Sequence, residues 1–304
     1  MDSAQDKYTL EIVEAEQLWL LDVVDKERYI CRGCGIKVTP ASYHPTNVVR
    51  PYFAARDGDH QPGCDVDGEK KLVAKGKKGR LSTPRDGFPV SYPSRLILRD
   101  LRQVVDAEGA NRPTTGSGGD RSRNDGSGAA GQGRARRRDA NTIRPICRTF
   151  INFPYDRDLE LSIPGVDATS YRSAFKKLKW DELARYTNAK LFYAAIRWNK
   201  PVETEEYLEI TVDAGVRDAN KLLQGHRVRA EWVTWSKAKR SYVRNEIEAA
   251  RKEAIEAKAK NPKIKGYLFF MGEQDATDES LFHVTDYRLI CCLVDEITYP
   301  ATGR

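Results

Sequence analysis

The chain has 304 residues, of which 40% are apolar and 31% charged. This is enough apolar character for packed cores, and enough length for about two domains of ordinary size. No apolar run is longer than that from Leu289 to Val294, well short of the roughly 20 residues of a membrane-spanning helix, so no membrane partner is expected. Lys and Arg outnumber Asp and Glu by 51 to 44, a net +7 that permits an anionic partner without requiring one.

The opening MDSAQDKYTLE has neither the basic nor the apolar region of a secretory signal. Residues 8–13 and 18–24 read as two short strands leading to the first cysteines. Six cysteines occur, and three of them, Cys31, Cys34 and Cys64, fall within 34 residues. A secreted disulfide scaffold packs more cysteines into a shorter chain, so a cytoplasmic setting with metal or redox chemistry is expected. The spacing is C-x2-C-x25-H-x3-C, made by Cys31, Cys34, His60 and Cys64. A C-x-x-C turn with glycines beside it aims two thiolates at one point, and the His–Cys pair completes a Cys3His tetrahedron. Such a closed set leaves no position for a catalytic water, so one structural Zn2+ is expected. A redox C-x-x-C is the alternative, but no thioredoxin-like pattern surrounds it. His44 is the alternative fourth ligand, ranked behind His60. Cys147, Cys291 and Cys292, with His226 and His283, lack ligand spacing and read as ordinary structural residues.

The stretch Tyr29-Ile-Cys31-Arg-Gly-Cys34, followed by Arg50-Pro-Tyr-Phe53-Ala and His60-Gln-Pro-Gly-Cys64, resembles the N-terminal zinc module of bacterial competence proteins of the CoiA type. The resemblance covers roughly residues 10–66. It implies Cys31, Cys34, His60 and Cys64 as ligands, Phe53 as a packing aromatic, and a bacterial, nucleic-acid setting. Tyr52 and Ala55 stand where that family's turn has histidines. The family's downstream part is nuclease-like. A nuclease core needs Asp and then Glu-x-Lys on a following strand to hold Mg2+. Glu-x-Lys occurs here at Glu69 and Glu256, neither on an expected strand, and Glu209 and Asp213 share a strand without the lysine. No nucleophile elbow, phosphate loop, zincin or dinucleotide motif is present. A non-catalytic chain without a small-molecule cofactor is therefore expected.

From Gly68 to Arg80 there are six cations and one anion, net +5. The interleaved glycines suggest an exposed loop, with Lys70, Lys71, Lys75, Lys77 and Lys78 as candidate phosphate contacts. Residues 94–108 read as a helix with an apolar stripe at Ile97, Leu101, Val104 and Val105. Arg95, Arg99 and Arg102 lie at i, i+4, i+7 on another face and suit a phosphate backbone. The Gly/Ser-rich residues 109–140, ending in Arg134 and Arg136–Arg138, read as a flexible linker.

Beyond it, a short helix is expected after Asn141 or Thr142, with Ile143, Ile146, Phe150 and Ile151 buried, and a second over 169–178. Strands follow at 190–198, 207–213 and 227–235. Residues 236–260 form the clearest helix, with Val243, Ile247, Ala250, Ala254 and Ala257 on its apolar side, ended by Asn261-Pro262. The last strands are 265–272 and 282–294. The fold class is thus α+β: a zinc-knuckle domain over 1–108, a linker over 109–140, and a β-rich domain over 141–304. The β-β-β-α-β-β order of that last domain is the order of an OB-like barrel. Trp232 and Trp235 are its candidate base-stacking platforms. The function these features suggest is a nucleic-acid-binding subunit, DNA or RNA, of a bacterial nucleoprotein machine serving DNA processing, mobile elements or phage defence. The alternatives are a protein–protein assembly subunit and a divergent metal-dependent nuclease.

Overall fold

The computed structural model describes residues 1–99 and 137–300, except 45, 48 and 57. The fold is mixed α+β, mostly strands with few helices. Its N-terminal part holds β1 (Ser3–Asp6), β2 (Ile12–Glu14), a 3-10 helix (Ala15–Leu20), β3 (Tyr29–Ile30), β4 (Thr39–Ala41), β5 (Tyr52–Ala54) and α1 (Asp65–Gly76). Strands β2, β1 and β3 form one small antiparallel sheet, and β4 pairs with β5. Their core is small: Val13, Leu18, Tyr29, Val38 and Phe53 close on Cys31, Cys64 and Val66.

Next come β6 (Tyr92–Leu96), β7 (Arg137–Ala140), α2 (Arg144–Asn152), a 3-10 turn (Pro154–Asp156), α3 (Tyr171–Ala174), β8 (Phe175–Lys177), β9 (Leu191–Ala195) and β10 (Val202–Glu203). The chain continues through β11 (Tyr207–Asp218), β12 (Lys221–Glu231), α4 (Lys237–Lys260), β13 (Lys265–Phe270), β14 (Glu273–Gln274), β15 (Leu281–Val284) and β16 (Ile290–Asp295). A central sheet, β16-β13-β9-β8, is buried on both faces. Its side chains alternate with the period of two that a strand imposes. Leu191, Tyr193, Phe269, Cys291 and Leu293 point toward α2 and α3. Phe192, Ala194, Leu268, Phe270 and Cys292 point toward α4 and the second sheet, β10-β11-β12-β15-β14. Strands are present where expected within 190–198, 207–213, 227–235 and 265–272, but the one expected over 282–294 is split into β15 and β16, which belong to different sheets.

Three expectations are corrected. Ser94–Leu96 lie in β6, not in a helix, because β6 pairs in parallel with β7, about forty residues on, a partner that local periodicity cannot reveal. Residues 97–99 are not helical either; residues 100–108 of that expected helix, with Arg102, and most of the expected linker lie outside the described residues. The basic segment is not a loop over most of its length, since Gly68–Gly76 belong to α1. Finally, while residues 4–66 keep a small core of their own, residues 88–96 of the expected 1–108 domain pack in a core of the 141–304 part. Phe88, Val90, Tyr92 and Leu96 share one core with Ile143, Phe150, Phe175 and Phe269.

The N-terminal part is also joined to the rest by buried ion pairs. Arg144, 3% exposed, meets Glu16 at 2.7 Å and Glu246 at 2.5 Å, and donates to the carbonyl oxygen of Cys292 at 3.0 Å. Arg50 pairs with the other carboxylate oxygen of Glu246 and, at 2.6 Å, with Glu253. Burial works against the charged form of Glu246, but Arg144 and Arg50 outweigh it and hold its carboxyl below the usual glutamate range. Its contribution to stability is therefore complete above the unfolded-state glutamate pKa and is lost as pH falls through the lowered folded value. Removing one partner leaves the others as buried charges without a counterion. Arg144→Met is expected to cost about 3–5 kcal/mol in urea unfolding, and Glu246→Gln to remove part of the acid-side loss seen in the natural chain. Midpoints that stay unchanged in both would show that the network does not hold the parts together.

Candidate metal centre

Local backbone geometry builds the cluster. After β3 the chain turns back on itself: the Gly35 N–H donates to the Cys31 carbonyl oxygen at 2.9 Å, and the Cys31 N–H to that of Ile36 at 2.7 Å. Gly35 takes a φ of 75°, open to glycine at little cost. Gly33 has a different reason. A Cβ there would sit 3.0 Å from the Cys64 sulfur and 3.3 Å from Val66, so the knuckle can approach α1 only without a side chain. On the other side, Cys64 is the N-cap of α1. A thiolate at that position faces the positive end of the helix dipole.

The four ligand atoms of Cys31, Cys34, His60 and Cys64 lie within 4.8 Å of one another. Cys31 Sγ is 3.7 Å from Cys64 Sγ, and His60 Nδ1 is 3.4 Å from Cys34 Sγ and 3.5 Å from Cys64 Sγ. A tetrahedral ion with bonds of about 2.3 Å to sulfur and 2.0–2.1 Å to nitrogen separates its ligands by about 3.8 Å for S···S and 3.6 Å for S···N. The donor set therefore fits one metal ion, with the imidazole binding through Nδ1. It does not fit a disulfide, which needs sulfurs about 2.0 Å apart, and all six cysteines are free. His44 is exposed and stacks on Tyr43 at 4.9 Å, away from the cluster, so His60 is the histidine brought to the site. Among the described residues this is the one His/Cys/Asp/Glu group with ligand spacing.

The thiols are not equivalent. Burial pushes Cys31 up to about 11. For Cys34 burial also pushes upward, but the N–H groups of Ile36 and Gln61 and the side chains of His60 and Cys64 outweigh it and hold the thiol at about 6. Cys34 is thus the thiol shifted toward its thiolate form, and Cys31 the one shifted away from it.

The remaining candidates divide. Lys70, Lys71, Lys75 and Lys78 are exposed on α1 and just beyond it, and make no ion pair among the described residues. Lys77 instead binds Asp295 at 2.6 Å and 2.7 Å. Arg95 projects from β6 and pairs with Asp139 at 3.0 Å. Arg99 is exposed. Trp232 and Trp235 are not platforms. They are 0% and 8% exposed, and their indole N–H groups donate to the carbonyl oxygens of Thr204 and Thr285 at 3.1 Å and 3.0 Å. Both lie just past the end of β12, in the core that α4 helps to cover. Glu209 and Asp213, weighed for a nuclease, are engaged by Arg229 and Arg217. His226 is buried among aromatic rings, and burial lowers it to about 4, so it is neutral. His283 is held between Glu231 at 2.6 Å and Asp275 at 3.1 Å, an arrangement with no sequence signature because its members are up to 52 positions apart.

No protein-family model, curated protein or solved structure matches the chain. No helix is long and apolar enough to cross a membrane, among the described residues.

Elemental analysis of purified protein is expected to find about one metal ion per chain. Because the ligands must be deprotonated, acidification should release it. Cys64→Ser should lose the metal and speed amide exchange in the first turns of α1. Full metal content in that variant, or unchanged exchange without metal, would contradict the geometry.

Proposed function

We propose that this chain is a non-catalytic nucleic-acid-binding subunit of a bacterial, cytoplasmic nucleoprotein machine, of the kind that serves DNA processing, mobile elements or phage defence, and that its metal is one structural zinc ion. The observation that carries the reading is the cationic face of α1. Lys71 and Lys75 lie at i, i+4 on α1, with Lys70 beside them and Lys78 in the turn just past its end, all exposed and without carboxylate partners among the described residues. Clustered unpaired lysines are the electrostatic form of a phosphate-backbone contact, positioning rather than sequence-reading. The closed Cys3His set supports zinc in a structural role, since zinc favours tetrahedral thiolate and imidazole donors and this set offers no open position. Here zinc would fix the cap of the helix that carries the lysines.

The CoiA-type resemblance of residues 10–66 agrees with a zinc knuckle in this place and with a nucleic-acid setting. For the C-terminal part we infer an OB-like arrangement. The bridge between Ile196 and Val212, which joins the two sheets, supports it. With Trp232 and Trp235 buried, stacking on those two rings is no part of the proposal.

Fluorescence anisotropy with labelled single- and double-stranded DNA and RNA tests the reading. Binding should weaken steeply between about 50 and 200 mM salt, and the Lys71→Ala, Lys75→Ala, Lys78→Ala triple should reduce the log–log salt slope by about 2–3. Absence of binding even at low salt would discard the reading in favour of an assembly subunit. Mg2+-dependent loss of plasmid would instead favour a nuclease.

A further inference from the structure

Beyond the C-terminal end of α1 the fold forms an open cavity of about 610 Å3, the size of an ordinary small-ligand site. Arg80 lies at its edge, so the basic segment that begins at Lys70 runs to it. Asp156 fixes this junction by accepting hydrogen bonds from the N–H groups of Leu81 and Ser82, each at 2.9 Å.

Inside, the decisive residue is Arg157. It is only 7% exposed, yet no carboxylate pairs with it among the described residues, unlike buried Arg144 with its two glutamates. Its Nε donates to the Phe150 carbonyl oxygen at 3.2 Å, its guanidinium lies over the Phe150 ring at 3.8 Å, and Nη2 has no hydrogen-bond partner. Burying an unpaired cation is costly, and here burial lowers the arginine's pKa. An anion in the cavity beside it would offset that cost. Arg172, exposed on the same cavity and also without an ion pair among the described residues, supplies a second guanidinium. The other walls are aromatic. Tyr155 is half-buried, and Tyr299 is 52% exposed with its hydroxyl 3.0 Å from that of Tyr193. Two guanidiniums beside flat rings match a ligand that joins an anionic group to a planar one.

We infer that this cavity binds one nucleotide unit, with its phosphate on Arg157 and Arg172 and its base against Tyr155 and Tyr299. Choosing a nucleotide over other aromatic anions rests on the nucleic-acid reading of the α1 lysines. The pairing of anion and ring does not. The unit can come from a free nucleoside monophosphate or from the phosphorylated end of a strand.

Isothermal titration of the full chain with AMP and CMP tests this, beside adenosine, inorganic phosphate, O-phosphotyrosine and a 5′-phosphorylated oligonucleotide. The expected result is saturable nucleotide binding, tighter than phosphate or adenosine alone, weakened about tenfold or more by Arg172→Glu and by Tyr299→Ala. Both substitutions are at exposed residues, so the melting temperature should hold. Preference for the oligonucleotide assigns the site to a strand end, and preference for AMP or CMP to a free nucleotide. The α1 lysine triple should keep mononucleotide binding even where polymer binding is lost. No saturable nucleotide binding up to about 5 mM, affinity unchanged in both variants, or tighter binding of O-phosphotyrosine than of any nucleotide would overturn the proposal.

Discussion

The fold is organised around a cation it cannot hydrate. Arg144 sits where the 3-10 helix of the N-terminal part, the long helix α4 and the last strand of the central sheet converge, and each offers it an oxygen. The low local dielectric makes each pair strong and each missing partner expensive. The elements therefore have little freedom to slide, since a displacement that broke one contact would leave a buried charge. Arg50 repeats the arrangement from the loop before β5, sharing Glu246 with Arg144. The N-terminal part is thus set against the sheet by directional contacts as well as by apolar packing.

That placement determines what the metal cluster can present. Cys64 ends the Cys3His cluster and caps α1, so the position of that cluster and the direction of the helix are one choice. At the other end, Gly76 lies so close to Phe153 that a Cβ would come within 2.5 Å of the ring, and Lys77 is tied to Asp295. Held at both ends, α1 turns its remaining lysines to solvent and delivers the chain to Arg80. The cluster thereby acts at a distance on a charged surface that contains none of its ligands.

Much of the site was readable before any coordinates, and the reasons are physical. Metal ligation demands particular side chains at close spacing, so Cys31, Cys34, His60 and Cys64 announce themselves. Helix α4 follows its apolar period closely, and Ser236 caps it by accepting the Lys239 N–H. Phe150 and Ile151 likewise lie buried on α2. Other features depend on partners far away in the chain. The strand pairing of β6 comes from β7. Glycines at 68 and 76 argue against a helix, although Gly76 is required by the tight contact with Phe153. Alternation over 227–235 gives Trp232 a face but does not show that α4 helps to cover it. Arg144, Glu246 and Arg157 are polar residues at buried positions, which patterning by hydrophobicity assigns to the surface.

The buried pairs also impose an order of assembly. The sulfur atoms of the metal cluster come from positions 33 apart, whereas Arg144 finds Glu246 across 102 residues and Arg50 across 196. Closing long loops is slow, and a chain made from its N-terminus acquires distant partners last. On the ribosome the metal part has all its ligands while α4 does not yet exist, and through that interval Arg50 and Glu16 stay in water. Docking is then a late event in synthesis. A chain interrupted before Glu246 would carry its metal ligands without the scaffold that aims them.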